Sequence, residues 1–178
     1  MLKTLHQIAS VGIVSEPPPR PEEALRIREA LHEQIRAVLG RALCIRHVDA
    51  GSCNGCELEI HALNNPLYNL EGLGIRFVAS PRHADLLLVT GPVSRHMEVA
   101  VLRAYAATPE PKLVVALGDC GCTGGIFGES YASRGRVSNV IPVDVAVPGC
   151  PPNPTQILSG ILTALRRPTT APIRTPSG

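Results

Sequence analysis

"ADLLLVTGPVSRHMEVAVLRAYAATPEPKLVVALGD", residues 84–119, contains two apolar runs on either side of an amphipathic stretch. The runs at 84–91 and 112–119 predict strands, and residues 94–108 predict a helix that ends before the prolines of "PEP". Strands that are apolar along nearly their whole length are typical of a parallel sheet covered on both faces. This unit therefore predicts an α/β domain.

The same alternation continues along the chain. Three further strands are predicted at residues 43–49, 74–79 and 142–149, and two further helices at residues 55–65 and 154–167. Asn153 is expected to cap the last of these helices, with Pro154 in its first turn. Alternating elements of this kind predict one three-layer domain over residues 43–167, in which a mostly parallel sheet lies between two layers of helices.

The two ends of the chain differ from this central part. Residues 1–42 contain two amphipathic helical segments, at 2–14 and 22–42, separated by the proline-rich "SEPPPRP" at 15–21. We expect a helical N-terminal extension that faces a partner rather than joining the central core. Residues 168–178 show no periodicity and are expected to form a disordered tail.

The composition argues against several classes of protein. The chain has 178 residues, a net charge of +2 and only 3% aromatic residues, so it lacks the basic or stacking surface of a nucleic-acid-binding protein. It has neither an apolar run of about 20 residues, which a membrane span requires, nor an export signal. We therefore expect a cytoplasmic protein, and six cysteines in a reducing cytosol favour metal binding or redox work over disulfides.

Five of the six cysteines lie just past the end of a predicted strand: Cys53, Cys56, Cys120, Cys122 and Cys150. Sites in open parallel sheets form beyond the carboxyl ends of the strands, so three strand ends are expected to bring thiols to one edge. Cys44 begins its strand and is expected at the opposite edge. Cys120 comes first after its strand, so we favour it as a ligand over Cys122, for which a small buried residue is the alternative.

Four thiolates at one edge suit either a 4Fe–4S cluster or a structural zinc ion. The cluster is favoured because Cys53 and Cys150 stand just before predicted helices, whose free N–H groups offset its negative charge. Structural zinc sites more often use two close-spaced pairs, and this chain has one Cys-x-x-Cys pair. A thioredoxin-like redox couple would leave Cys120 and Cys150 without a role.

Four other side chains are candidates for contacts around a cluster. Arg82 and His83, in "SPRHAD" at 80–85, follow a strand end and could donate hydrogen bonds there, with a solvated loop as the alternative. Glu57 and Glu59 are candidates for proton transfer, although the dipole of a helix also favours carboxylates in its first turn.

Four stretches of the chain carry a family resemblance: "GSCNGCELEI" (51–60), "SPRHADLLLVTGPVS" (80–94), "ALGDCGCTGGIF" (116–127) and "VDVAVPGCPPNPTQIL" (143–158). They resemble the small subunit of energy-converting NiFe hydrogenases of the formate hydrogenlyase and hydrogenase-4 type, and the related 20 kDa subunit of NADH–quinone oxidoreductase (complex I). The resemblance covers about residues 43–167. It implies a flavodoxin-like fold and one 4Fe–4S cluster ligated by Cys53, Cys56, Cys120 and Cys150.

The resemblance also implies a role and partners. The chain would be a non-catalytic electron-transfer subunit whose cluster is proximal to a hydrogenase large subunit or its complex I homologue. A further iron–sulfur subunit and integral membrane subunits would complete an assembly that holds the chain peripherally on the inner face of the cell membrane. The Cys-Asn-Gly-Cys of residues 53–56 resembles the hydrogenase members, since complex I subunits usually have adjacent cysteines here. A complex I-like assembly that lacks nickel is the alternative.

Overall fold

The computed structural model describes residues 2–11 and 21–166. These residues form a five-stranded sheet in which every neighbouring pair of strands is parallel. The strands are β1 (Leu43–Asp49), β2 (Ile75–Phe77), β3 (Leu86–Thr90), β4 (Leu113–Leu117) and β5 (Val145–Val147). Their order across the sheet, β2-β1-β3-β4-β5, is that of flavodoxin-like folds. The predicted α/β class and parallel sheet are confirmed.

The described residues also form six α-helices: α1 (Leu2–Val11), α2 (Pro21–Leu39), α3 (Gly55–Ala62), α4 (Arg95–Ala107), α5 (Gly118–Thr123) and α6 (Pro154–Arg166). Of these, α5 was not predicted, and it begins directly where β4 ends. The last strand is shorter than predicted, with three residues. The predicted tail at 168–178 and the proline-rich segment up to residue 20 lie outside the described residues. None of the helices in the described part is long and apolar enough to cross a membrane.

Side chains of the central strands alternate between two apolar layers. Leu86 and Leu88 of β3 pack in the layer that contains side chains of α2, α3 and α6, whereas Leu87 and Val89 pack in the layer that contains those of α4. This alternation follows from the two-residue period of a β-strand. The sheet is therefore covered on both faces, as the apolar strands predicted.

The second helix is part of the core, which corrects the expectation of an arm outside it. Leu31, Ile35 and Leu39 of α2 are buried in the same layer as the side chains of α6. Their spacing of four residues places them on one face of the helix. The amphipathic pattern of α2 thus reflects packing onto its own domain.

Replacing Leu31 by Ala is expected to lower the free energy of unfolding by about 2–5 kcal/mol, because truncating a buried leucine loses apolar contacts and leaves a cavity. Leu31 is 0% exposed. Urea unfolding measures the change. Leu25→Ala is the control on the same helix, and because Leu25 is 53% exposed its loss is expected to be below about 1 kcal/mol. Equal losses in the two variants would contradict the packing of α2 as core.

Candidate metal centre

The thiols of Cys53, Cys56, Cys120 and Cys150 line one cleft of about 90 Å³. They come from the loops and helix starts that follow β1, β4 and β5. The structure thus brings together the cysteines that the strand ends predicted.

The loop after β1 is fixed by the last residue of that strand. The carboxylate oxygen Oδ1 of Asp49 accepts hydrogen bonds from the N–H groups of Gly51 and Ser52, each at 2.8 Å. Asn54 then adopts a left-handed conformation with φ 71° and begins α3. As a result, Cys53 is exposed at the rim of the cleft and Cys56 lies in the first turn of the helix.

The loop after β4 turns sharply into α5. Gly118 has φ +81°, which a residue with a side chain rarely adopts, and the short helix that follows carries both Cys120 and Cys122. The Cys122 thiol donates to the carbonyl oxygen of Ala116 at 3.6 Å, and burial raises its pKa to about 11. Cys120 lines the cleft and Cys122 does not. The position of the two thiols therefore agrees with the prediction that Cys120, and not Cys122, is a ligand.

The loop after β5 brings Cys150 to the cleft just before α6. Gly149 has φ +139°, and a Cβ atom there would lie 2.5 Å from the Cα of Pro152, so the chain is too tight for any other residue. Asn153 caps the helix: its Oδ1 accepts from the N–H of Gln156 at 2.9 Å, while Gln156 Oε1 accepts from the N–H of Asn153 at 2.8 Å. The predicted cap is confirmed.

Burial and nearby negative charge raise the pKa of two of the four thiols, those of Cys56 and Cys120, and so favour their protonated form when nothing is bound. Burial is the larger cause and raises the pKa of Cys56 to about 12, with further contributions from Glu57 and the other three thiols of the cleft. Burial also raises the pKa of Cys120, with the neighbouring thiols again adding to it. A metal that binds here must displace these protons, since only thiolates ligate strongly.

The space beside the sulfur atoms is kept free by glycines. A Cβ atom at Gly118 would lie 2.6 Å from Sγ of Cys56, and one at Gly125 would lie 2.7 Å from Sγ of Cys120. Four thiols around a cleft that glycines hold open fit an iron–sulfur cluster. Within residues 2–11 and 21–166, no three Cys, His, Asp or Glu side chains are grouped to ligate a single metal ion. Cluster cysteines each bind a different iron atom, so a cluster does not require such a group.

The two predicted carboxylates differ in position. Glu57 is 8% exposed and its Oε1 lies 3.4 Å from Nε2 of His47, which also contacts Oγ1 of Thr90 at 2.9 Å. Within the described residues, neither carboxylate oxygen of Glu57 has a hydrogen-bond partner. Burial lowers the pKa of His47. Glu59 is half-buried, and neither Glu57 nor Glu59 lines the cleft.

Arg82 and His83 are not near the four thiols, which corrects the prediction that they contact a cluster there. They line a separate cavity of about 440 Å³ together with Leu43 and Leu113, the first residues of β1 and β4. The reason is that the chain returns from β2 to the start of β3 through residues 78–85, and so reaches the amino ends of the strands. Cys44 lines this cavity too, as its position at a strand start predicted.

Asp119 is a residue of the cleft that sequence reasoning missed. It lines the cleft beside Cys120, and its carboxylate accepts a hydrogen bond from the N–H of Gly149. A carboxylate directly after an apolar strand was visible in the sequence, but its partner depends on which strands are neighbours.

A comparison with protein families agrees with this geometry. The model of the family described as "NADH ubiquinone oxidoreductase, 20 Kd subunit" matches residues 53–164, which include all four thiols of the cleft. The chain belongs to this family. Members of the family are subunits of oxidoreductase complexes, so the chain is a redox subunit by descent.

Two relatives of the chain are named as a subunit of a membrane-bound hydrogenase and a subunit of formate hydrogenlyase. A probable membrane-bound hydrogenase subunit of Pyrococcus furiosus is 47% identical over 134 residues, which is 75% of this chain and 80% of the relative. Formate hydrogenlyase subunit 7 of Escherichia coli is 42% identical over 154 residues, 83% of this chain. This chain spans only 60% of the length of that second relative.

A solved structure shares the fold. A chain of the membrane-bound sulfane sulfur reductase, an archaeal respiratory membrane complex, superposes with a TM-score of 0.62 and 34% sequence identity. The match covers 77% of this chain and 74% of that one. Relatives of this chain therefore occur in membrane complexes of more than one activity.

Proposed function

We propose that the chain holds one 4Fe–4S cluster through Cys53, Cys56, Cys120 and Cys150 and passes single electrons in a membrane-associated NiFe hydrogenase complex. One observation carries this proposal: loops from three separate strand ends place four thiols around one cleft, in a chain that belongs to a family of redox subunits. The chain itself would hold no substrate, and catalysis would take place in a partner subunit.

The residues of the chain have defined tasks in this role. When bound, a 4Fe–4S cluster supplies reversible one-electron transfer, with a potential that the protein sets through burial, hydrogen bonds and nearby charge. The four thiolates would hold it, and Cys56 lies in the first turn of α3, where the positive end of the helix dipole favours negative charge. The buried carboxylate of Glu57 beside Cys56 would favour the oxidised state.

An apolar surface next to the cleft suits a large subunit as partner. Ile126 and Tyr131 are 94% and 95% exposed, and Phe127 is exposed as well. All three follow Gly125 in the sequence, where an added Cβ atom would lie 2.7 Å from Sγ of Cys120. Exposed apolar patches mark sites of protein association. We infer that these three side chains, which lie within six residues of one another in the sequence, form such a patch, and docking here would bring the partner close to the cluster.

Phe127→Ser is expected to reduce the amount of large subunit that co-purifies with the chain by about tenfold or more. The reason is that the variant lacks an aromatic side chain that the partner would bury at the interface. Co-expression followed by affinity purification measures this ratio. Val99→Ser, at an exposed apolar position of α4, is the control that should leave the ratio unchanged. Unchanged recovery with Phe127→Ser would contradict docking through this surface.

Iron content and spectroscopy test the proposed cofactor. Protein purified without oxygen is expected to be brown, to contain about four irons per chain and to gain an electron paramagnetic resonance signal on reduction. A structural zinc ion would give neither colour nor signal. Colourless protein with one zinc per chain would overturn the proposal.

The complex I-like alternative is supported by the family description, which names NADH–ubiquinone oxidoreductase. The two assemblies differ in the large subunit, where paired Cys-x-x-Cys motifs near both ends would supply four thiolates for nickel and iron. Sequencing the large subunit that co-purifies with the chain decides between them. In either assembly we infer that the chain is held at the membrane through a further iron–sulfur subunit and integral membrane subunits.

A further inference from the structure

Asp119 joins two of the loops that carry thiols. The ladder between β4 and β5 ends at the pair Leu117 and Val147. Asp119 and Gly149 each lie two residues beyond that last pair. The N–H of Asp119 donates to the carbonyl oxygen of Gly149, and the N–H of Gly149 donates to Oδ1 of Asp119, both at 2.8 Å. Cys120 and Cys150 are the next residues on the two sides of this pair.

The carboxylate is needed because the main chain changes direction. Gly118 turns the chain into α5 with φ +81°. The side chain of Asp119 therefore supplies the acceptor for the N–H of Gly149, beyond the point where strand pairing has ended. Hydrogen bonds to a carboxylate are shorter and stronger than those between neutral groups.

We propose that Asp119 is a positioning residue, which fixes the spacing between Cys120 and Cys150 before iron binds. The proposal rests on the proposed function, because it concerns two of the four thiols assigned to the cluster. A site that is already set to the spacing of its metal avoids the cost of ordering its loops on binding. Asp119 would therefore act by keeping the two thiols in place, without contact to the iron.

Asp144 provides a matched control at the other end of the same two strands. Its N–H donates to the carbonyl oxygen of Val114 at 2.9 Å, and its Oδ2 accepts from the N–H of Val114 at 2.8 Å. The same kind of reciprocal pair thus joins the β4 and β5 regions at their amino ends, away from the cleft. Losing Asp144 removes an equivalent hydrogen bond without touching the loops of Cys120 and Cys150.

The test compares Asp119→Ala, Asp119→Asn and Asp144→Ala in the full chain. Hydrogen exchange of the Gly149 amide is measured on iron-free protein, and the rate of iron transfer to a chelator is measured on protein purified without oxygen. Asp119→Ala is expected to raise both rates about tenfold or more, the effect of losing one charge-assisted hydrogen bond. Asp119→Asn keeps an oxygen acceptor and should restore most of both. Asp144→Ala should leave both rates near those of the wild type at matched global stability.

The outcomes separate this proposal from the proposed function. Equal rates in Asp119→Ala and the wild type, or equal increases in Asp119→Ala and Asp144→Ala, would overturn the positioning role. A broadened electron paramagnetic resonance signal in Asp119→Ala alone would support it further, because global destabilisation does not alter the geometry at the iron. If wild-type protein binds no iron, the proposed function fails, and exchange at Gly149 alone then decides whether Asp119 holds the two loops together.

Discussion

Cys120→Ser is expected to lower the iron content from about four per chain to below one, whereas Cys122→Ser is expected to keep all of it. The two cysteines lie two residues apart on α5, so the pair compares the same substitution in the same helix. Serine is nearly the same size as cysteine but binds iron poorly. Iron analysis and the absorption spectrum of protein purified without oxygen measure the difference.

The physical reason is the direction of the two thiols. Cys120 lines the cleft with the other three, while the Cys122 thiol donates to Ala116 of β4 and lies against the strand. Full iron retention in Cys120→Ser together with loss in Cys122→Ser would mean that the ligand is the other cysteine. Retention in both variants would exclude α5 as a source of a ligand, and the proposed cluster would then lack its fourth thiolate.

The cleft itself could be predicted from the sequence because it depends on few quantities. Parallel strands place all their carboxyl ends at one edge, so it is enough to know that Cys53, Cys120 and Cys150 each follow a strand. Neither the strand order nor the lengths of the strands are needed to place these cysteines at that edge, although the strand order decides how close together they come. The same reasoning correctly placed Cys44 at the opposite edge.

The predictions that failed are those that depend on strand length and pairing. β2 has three residues and pairs only with the first part of β1, from Leu43 to Ile45. The chain therefore turns back early, and residues 81–83 lie at the amino ends of the strands instead of beside the cleft. The hydrogen bond between Asp119 and Gly149 could not be predicted for a related reason. Gly149 becomes the partner of Asp119 only when β4 and β5 are neighbours.

The amphipathic pattern of α2 shows a different limit. A stripe of apolar residues indicates that one face of a helix is covered, but it does not indicate by what. Leu31, Ile35 and Leu39 were compatible with a partner protein and with the domain itself. The structure places them against the domain's own core, beside α6.

Gly125→Ala is expected to lower iron content by more than half, whereas Gly128→Ala is expected to leave it unchanged. The two glycines lie in the same loop with φ +55° and +52°, so alanine adds about the same backbone strain, about 1 kcal/mol, at both positions. They differ in what the new methyl group meets. At Gly125 it would lie 2.7 Å from Sγ of Cys120 and 3.2 Å from its Cα, and at Gly128 it meets nothing within 4 Å.

Comparing these two variants separates backbone strain from crowding of the thiol. If backbone strain is the same at both positions, urea unfolding of the iron-free chains should show similar losses of stability in the two variants. Iron analysis should then show a lower iron content in Gly125→Ala only. Displacing Sγ of Cys120 would change the geometry at one iron, so the electron paramagnetic resonance signal of the remaining clusters should also shift in Gly125→Ala. Equal iron content in the two variants would mean that the loop moves aside freely. The space beside Cys120 would then be a by-product of the turn, with no part in holding the cluster.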